Sequence, residues 1–198
     1  MSARVLFKVG GSLLDWPGFP QRLQALIDQH SGEGLVLIVG GGRAADIVRD
    51  FDTVHHIGES RSHGLALHAL DFTSRLLATL IPRSQVVESL VEIPNVLSAD
   101  QIPIFAPRRF LELDDQSSNP LPHTWAVTTD SIAARVAHRL RIDRLMLIKS
   151  VSAAMGMTRI DAARQGIVDP YFPVASRSVR NVTVRNLRDP EATDRELL

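Results

Sequence analysis

Two short apolar runs, each stopped by a cluster of glycines, constrain this chain more than any other feature. Val5 to Val9 ends in Gly10-Gly11-Ser12, and Leu35 to Val39 ends in Gly40-Gly41-Gly42. Runs of this length that stay apolar without alternating read as central strands of a parallel sheet, buried on both faces. Between them, Phe19, Leu23, Leu26 and Ile27 recur at helical spacing in the stretch from Pro17 to His30, which Ser31-Gly32 closes. A second helix starts around Arg43 and carries Ala44, Ala45, Ile47 and Val48. A βαβα opening of this kind implies parallel strands joined by right-handed crossovers.

The pattern continues along the chain. A long helix from about Ser62 to Leu80 carries a stripe of Leu65, Ala69, Phe72, Leu76 and Leu80, and Pro82 ends it. Val86-Val87, Val96-Leu97 and Ile102 to Phe105 read as short strands. Leu113 to Pro122 is turn-rich and reads as an exposed loop. Val127 leads into Thr128-Thr129-Asp130, followed by a helix through Ile132, Ala133, Val136, Ala137 and Leu140. Leu145 to Ile148 is the most apolar strand, and Val182 to Val184 is a late one. The expectation is one α/β domain over residues 1–198, a three-layer α/β/α sandwich with a mainly parallel central sheet.

Composition narrows the class. A chain of 198 residues buries roughly 70% of its unfolded surface and needs no disulfide or metal staple. It has no cysteine, which removes thiolate chemistry and fits a reducing cytoplasm. The 22 basic and 22 acidic residues balance, arguing against a nucleic-acid or membrane-surface partner. Met1 to Phe7 holds no signal-peptide core, and no apolar run approaches the ~20 residues of a membrane helix. The only lysines are Lys8 and Lys149, against a background of arginine, and each ends a predicted strand. A compact ammonium acts as a point charge beside a phosphate oxygen, a role that a planar guanidinium fills poorly.

Four clusters then fall on one edge of the predicted sheet: Lys8 to Ser12, Gly40 to Gly42, Thr128 to Asp130, and Lys149-Ser150. In open parallel sheets, ligands bind outside the carboxyl ends of the strands. Glycine turns let backbone N–H groups approach phosphate oxygens, and a following helix adds its positive end. Phosphoryl transfer needs such a cradle and one or more cations on the equatorial oxygens. Lys8 is the natural cation; Asp130 either holds it in place or helps seat Mg²⁺, and no side-chain metal site is otherwise indicated. Thr128 and Thr129 are placed both to cap the helix and to touch phosphate. None of the clusters matches a Walker loop or a dinucleotide fingerprint.

These residues resemble the motifs of the amino acid kinase superfamily. Lys8-Val9-Gly10-Gly11-Ser12-Leu13 resembles its first motif and Val39 to Gly42 its second. Thr128-Thr129-Asp130-Ser131-Ile132-Ala133-Ala134 is similar to its T-T-D-S-x-A-A segment, in the uridylate kinase form. Leu147 to Val151 sits where the family has its nucleotide-side strand. The resemblance implies ATP and Mg²⁺ as cofactors, a homo-oligomer, and an anionic acceptor that needs no general base. It implies that Lys8, Gly10, Gly11, Ser12, Gly40, Gly41 and Gly42 bind transferring phosphates, that Asp130 organises the cations, and that Lys149 and Ser150 lie beside the nucleotide. The family's late lysine is missing after Gly156-Met157, so either Lys149 or Arg159 replaces it, or catalysis is weak.

Ser62 to Asp71, Val168 to Pro173 and Asn186-Leu187-Arg188 further resemble short kinases of methanofuran synthesis, which convert aminomethylfuran phosphate to its diphosphate within one-carbon metabolism. Asp15, Arg61 and His63 are then candidate acceptor residues, with Asp15 or Asp71 receiving the amine. A uridylate or amino-acid kinase and a non-catalytic nucleotide-binding protein are the alternatives.

Overall fold

The structure, a computed structural model, describes residues 4–198; residues 1–3, which begin the amino-terminal segment read above, lie outside the described residues. In chain order the elements are β1 (Val5–Val9), α1 (Phe19–Gln29), β2 (Leu35–Val39), α2 (Gly42–His55), α3 (Glu59–Leu80), β3 (Ser84–Val87), α4 (Ile93–Ser98) and β4 (Ile102–Phe105). There follow α5 (Arg108–Asp114), α6 (Thr129–Leu140), β5 (Arg144–Lys149), α7 (Arg159–Arg164), α8 (Phe172–Ala175), β6 (Asn181–Asn186) and β7 (Arg195–Glu196). The strands form one sheet in the order β3-β4-β2-β1-β5-β6-β7, parallel except for β7 against β6.

The pleat explains how both faces fill. Successive side chains of a strand point to opposite faces. Val5, Phe7 and Val9 pack with Phe19, Leu23 and Ile27 of α1 and with Leu77 of α3. Leu6 goes the other way and joins Ile132, Ala133, Val136 and Ala137 of α6, together with Leu145 and Leu147 of β5. These side chains are buried, and each full burial of a Leu, Ile or Phe contributes roughly 1.5–3 kcal/mol. That core can carry a few costly buried charges.

The same alternation places those charges. Lys8 shares the face of Leu6, and Lys149 shares that of Leu145 and Leu147. β1 and β5 are adjacent with Lys8 opposite Leu147, so the two lysines lie side by side at the carboxyl ends of their strands, beneath the first turn of α6.

Three expectations are corrected. Val96-Leu97 lies in helix α4, not in a strand, with Pro94 in its first turn, where a missing N–H costs nothing. On α3 the buried residues include His63, Leu67, Leu70, Ser74 and Leu77, whereas Leu65 and Phe72 of the expected stripe are exposed. The 113–122 stretch is only partly an exposed loop: α5 runs through Asp114, which is buried against Arg135 at 2.8 Å, and Leu121 is buried too.

Candidate active site

Asp130, in the first turn of α6, stands between the two lysines. Its Oδ1 lies 3.0 Å from Lys8 Nζ, and Lys149 Nζ donates to Oδ1 at 2.8 Å and to Oδ2 at 2.7 Å. All three groups are nearly sealed from solvent. Burial opposes the Asp130 charge, but the ammonium groups of Lys149 and Lys8 outweigh it and hold the carboxyl at about 2. Burial, eased by Asp130 and reinforced by repulsion from Lys8, brings the Lys149 ammonium down to about 8. Removing an ion from water costs several kcal/mol, so a buried ionic cluster is a poor device for stability. One carboxylate against two ammonium groups leaves a net positive site, suited to an anion.

Of the two cations expected as replacements for the missing late lysine, Lys149 reaches this cluster and Arg159 does not. The Arg159 guanidinium is bound elsewhere, donating to the carbonyls of Ser176 at 2.5 Å, Val179 at 2.9 Å and Leu197 at 3.4 Å. Both Asp130 oxygens receive ammonium protons. Of the two roles read from the sequence, the geometry therefore matches the one that holds the lysines. Among the described residues, no group of three or more His, Asp or Glu side chains is arranged to hold a metal ion.

The two glycine turns press on each other. A Cβ on Gly11 would stand 2.2 Å from the Gly42 nitrogen, and one on Gly40 would stand 2.9 Å from the Gly11 nitrogen. Gly42 also has φ +49°, a left-handed conformation that glycine adopts without strain. The close approach expected of these glycines is thus made first of all between the turns themselves.

Beside them opens a cavity of about 300 Å³ lined by Lys8, Gly11, Ser12, Asp15, Gly40, Gly41, Gly42, His63, Thr128 and Thr129. Gly10 and Ser150 do not line it: Gly10 N donates to Ile148 O at 2.8 Å, and the Ser150 hydroxyl lies 3.3 Å from that of Ser12, which does. Arg61 is exposed in the first turn of α3 and does not line the cavity. Asp71 is turned to Arg108 at 2.5 Å and does not line it either.

Several lining residues escaped the sequence reading. Arg43, Asp46 and Arg49 come from α2, and Trp125 from the segment before α6. The helix that carries Asp130 is anchored by another unforeseen residue. Asp169 Oδ2 accepts from Thr128 N at 3.0 Å, Thr128 Oγ1 at 3.0 Å and Ser131 N at 2.9 Å, and Oδ1 accepts from Ser131 Oγ at 2.5 Å. Thr128 is the N-cap residue but makes no local side-chain cap; a carboxylate from far along the chain satisfies the helix end instead. The Thr128 to Asp130 cluster accordingly follows an irregular segment and not a strand. His63 and Asp169 are both buried; burial, then His123, depresses the His63 imidazolium, and burial, then Asp130, raises the Asp169 carboxyl.

A parallel sheet with glycine turns and buried lysines at its carboxyl edge is the arrangement of an enzyme that handles phosphoryl groups. The chain belongs to the amino acid kinase family, whose model matches residues 3–155, and it is an ATP-dependent phosphotransferase. It is 26% identical over 199 aligned positions to (5-(aminomethyl)furan-3-yl)methyl phosphate kinase of Methanocaldococcus jannaschii, covering 94% of this chain and 89% of that protein. Among solved structures it resembles the UMP kinase of Ureaplasma parvum, with a TM-score of 0.69 at 16% identity over 97% of this chain and 93% of that one. The uridylate kinase of Archaeoglobus fulgidus gives 0.67 at 15% identity over 98% and 100% of the two chains. Aspartate kinase from Synechocystis gives 0.69 at 15% identity over 99% of this chain but 40% of that one. At these identities the structural likenesses establish the fold.

Proposed function

We propose that the protein transfers the γ-phosphoryl group of Mg-ATP to a small phosphomonoester, and that this acceptor is aminomethylfuran phosphate, converted to its diphosphate in methanofuran-type cofactor synthesis. The observation that carries the reading is the net positive Lys8–Asp130–Lys149 cluster at the carboxyl edge of β1 and β5, with Lys8 on the cavity wall. An acceptor phosphate oxygen attacks the γ-phosphorus, and the bond to the β–γ bridging oxygen breaks to release ADP. The attacking oxygen is already ionised, so no general base is needed. Lys8 and Lys149 stabilise charge on the transferring group, Asp130 holds both in place against their mutual repulsion, and Gly10, Gly11, Ser12, Gly40, Gly41, Gly42, Thr128, Thr129 and Ser150 frame the phosphates. Mg²⁺, bound with the nucleotide, would supply further neutralisation of phosphate charge, and no side chain of this chain is assigned to hold it.

The choice of acceptor is supported by the Methanocaldococcus relative and by the cavity. About 300 Å³ stands at the low end of the ~300–1,000 Å³ usual for ligand pockets, which favours a compact acceptor over a whole nucleotide. The second reading, a uridylate kinase, has the structural neighbours and the Thr128-Thr129-Asp130 segment in its favour. ADP release measured against aminomethylfuran phosphate, UMP, acetylglutamate, glutamate and aspartate separates them. A dominant response to the furan compound is expected, and a dominant response to UMP overturns the assignment. Saturable ATP binding with no transfer to any of them would indicate a non-catalytic nucleotide-binding protein.

The proposal extends to a cytoplasmic homo-oligomer without nucleic-acid or membrane partners. Among the described residues, no helix is long and apolar enough to cross a membrane. Helix α2 has no buried residue, yet Ile47, Phe51 and Val54 line up on one side and are exposed, as are Leu65 and Phe72 on α3. A second copy of the chain would cover such a face.

A further inference from the structure

The acceptor side of the cavity holds features that phosphate transfer alone does not require. Trp125 is fixed on three sides: its backbone N–H donates to Glu59 at 2.5 Å, its indole N–H donates to Asp52 at 3.2 Å, and the Arg49 guanidinium lies 4.6 Å from its ring centroid. Buried His63 lines the same cavity, stacked at 5.4 Å and 12° on His123, which comes from the same segment as Trp125. Trp125, His63 and Arg49 therefore line the same cavity as the glycine turns and Lys8, and each of the two rings is held by a neighbour. Their geometry is held before any ligand arrives, which suits recognition of a flat ring.

The charges are mixed in a way that a purely anionic acceptor would not favour. Arg43 lines the cavity and its side chain makes no hydrogen bond or ion pair among the described residues, and the same is true of the Asp15 side chain. Asp46, by contrast, is matched to Arg49 at 2.7 Å. An unmatched carboxylate in a phosphate-binding cavity repels an acceptor that carries only negative charge. It becomes favourable when the acceptor also carries a cation, so it selects as well as binds.

We infer that Trp125 and His63 form the wall that selects a flat ring on the acceptor, and that Asp15 receives a protonated amine on that ring. The site thereby takes a small, planar, amine-bearing phosphomonoester. The inference rests on the reading of the cavity as the acceptor site and assigns its specificity to residues of this chain.

The test is equilibrium binding in the presence of Mg²⁺ and a non-hydrolysable ATP analogue, with three probes. They are aminomethylfuran phosphate, its N-acetyl derivative, which lacks the charge, and phosphoethanolamine, which has the amine and phosphate but no ring. The natural protein should bind the first at least about tenfold more tightly than either other, the order of one good charge pair or stacked ring. Trp125→Ala should abolish the preference over phosphoethanolamine and leave the preference over the N-acetyl compound, whereas Trp125→Phe should retain both. Asp15→Asn should do the reverse of Trp125→Ala. Equal binding of the three probes, or variants that leave both ratios unchanged, would overturn the inference. ADP release with the same compounds is a separate readout. Selective binding without transfer sinks the proposed reaction and keeps the selectivity wall; transfer without selectivity does the opposite.

Discussion

Lys149 Nζ stands within 2.8 Å of both oxygens of Asp130, although the chain offers no lysine at the place where its family usually carries the late one. Lys149 ends β5 and reaches the carboxylate from the strand beside that of Lys8. The same relationship separates Lys149 from Arg159. Lys149→Ala should lower kcat by roughly two orders of magnitude with an unfolding temperature close to that of the parent, as expected for loss of one preorganised charge. Arg159→Ala should leave kcat nearly unchanged and cost about 2–3 kcal/mol of stability, because the carbonyls of Val179 and Leu197 lose their side-chain donor and that of Ser176 keeps only the Val179 N–H. Steady-state kinetics and thermal unfolding of the two variants check both statements, and a reversed pattern would move the catalytic role to Arg159.

Titration of Lys149 gives a pH signature. Its ammonium is brought from the ordinary 10.5 to about 8, mainly by burial. Because kcat/KM reports the free enzyme, it should fall as pH rises through about 8. Lys149→Arg keeps its charge across that range, so its slower reaction should lack the alkaline limb. Stability follows the opposite sign. The unfolded chain binds more protons at this lysine between about pH 8 and 10, so its contribution makes the fold more stable as pH rises through that window.

Lys8 makes a single contact to Asp130 and borders the cavity. Lys8→Ala should fold and should lose about 100-fold in turnover, equivalent to ~2.7 kcal/mol of transition-state stabilisation. Near-parental turnover in a folded Lys8→Ala protein would remove it from the reaction.

Asp169 touches no part of the cavity lining except through Thr128, yet it closes the start of α6 with four accepted hydrogen bonds. Asp169→Ala leaves those donors unmatched and should cost about 3 kcal/mol, combining a lost helix cap with bonds to a charged acceptor. In a protein of this size, about 3 kcal/mol corresponds to a fall of roughly 6–12 °C in unfolding temperature. Turnover should fall with it, since Asp130 rides on the same turn. An unchanged melting temperature would show that the cap is dispensable.

The framework of the fold was open to reading from the sequence for a simple reason. β1, β2 and β5 are buried on both faces and so lack the polar alternation that would blur them. Lys8 and Lys149 converge because they end neighbouring strands of one parallel sheet, and Asp130 is brought to them by the first turn of α6, which no strand leads into. The misread pieces are those where local pattern is silent about what lies opposite. Val96-Leu97 is too short for periodicity to separate helix from strand. α3 carries apolar residues on more than one side, and spacing alone could not say that Leu67 and Leu77 point inward while Leu65 and Phe72 point out. The acceptor end was the least legible. Trp125 meets Asp52 across 73 residues and Asp169 meets Thr128 across 41, distances over which a sequence offers no spacing rule.

The contact between Gly11 and Gly42 has a consequence for inheritance. Each turn occupies the space in which the other would need to grow a side chain, so neither glycine is free to drift unless the facing backbone withdraws. Two motifs that stand apart in the chain are therefore one unit of selection, and a lineage departing from the first would have to redraw the second in the same step.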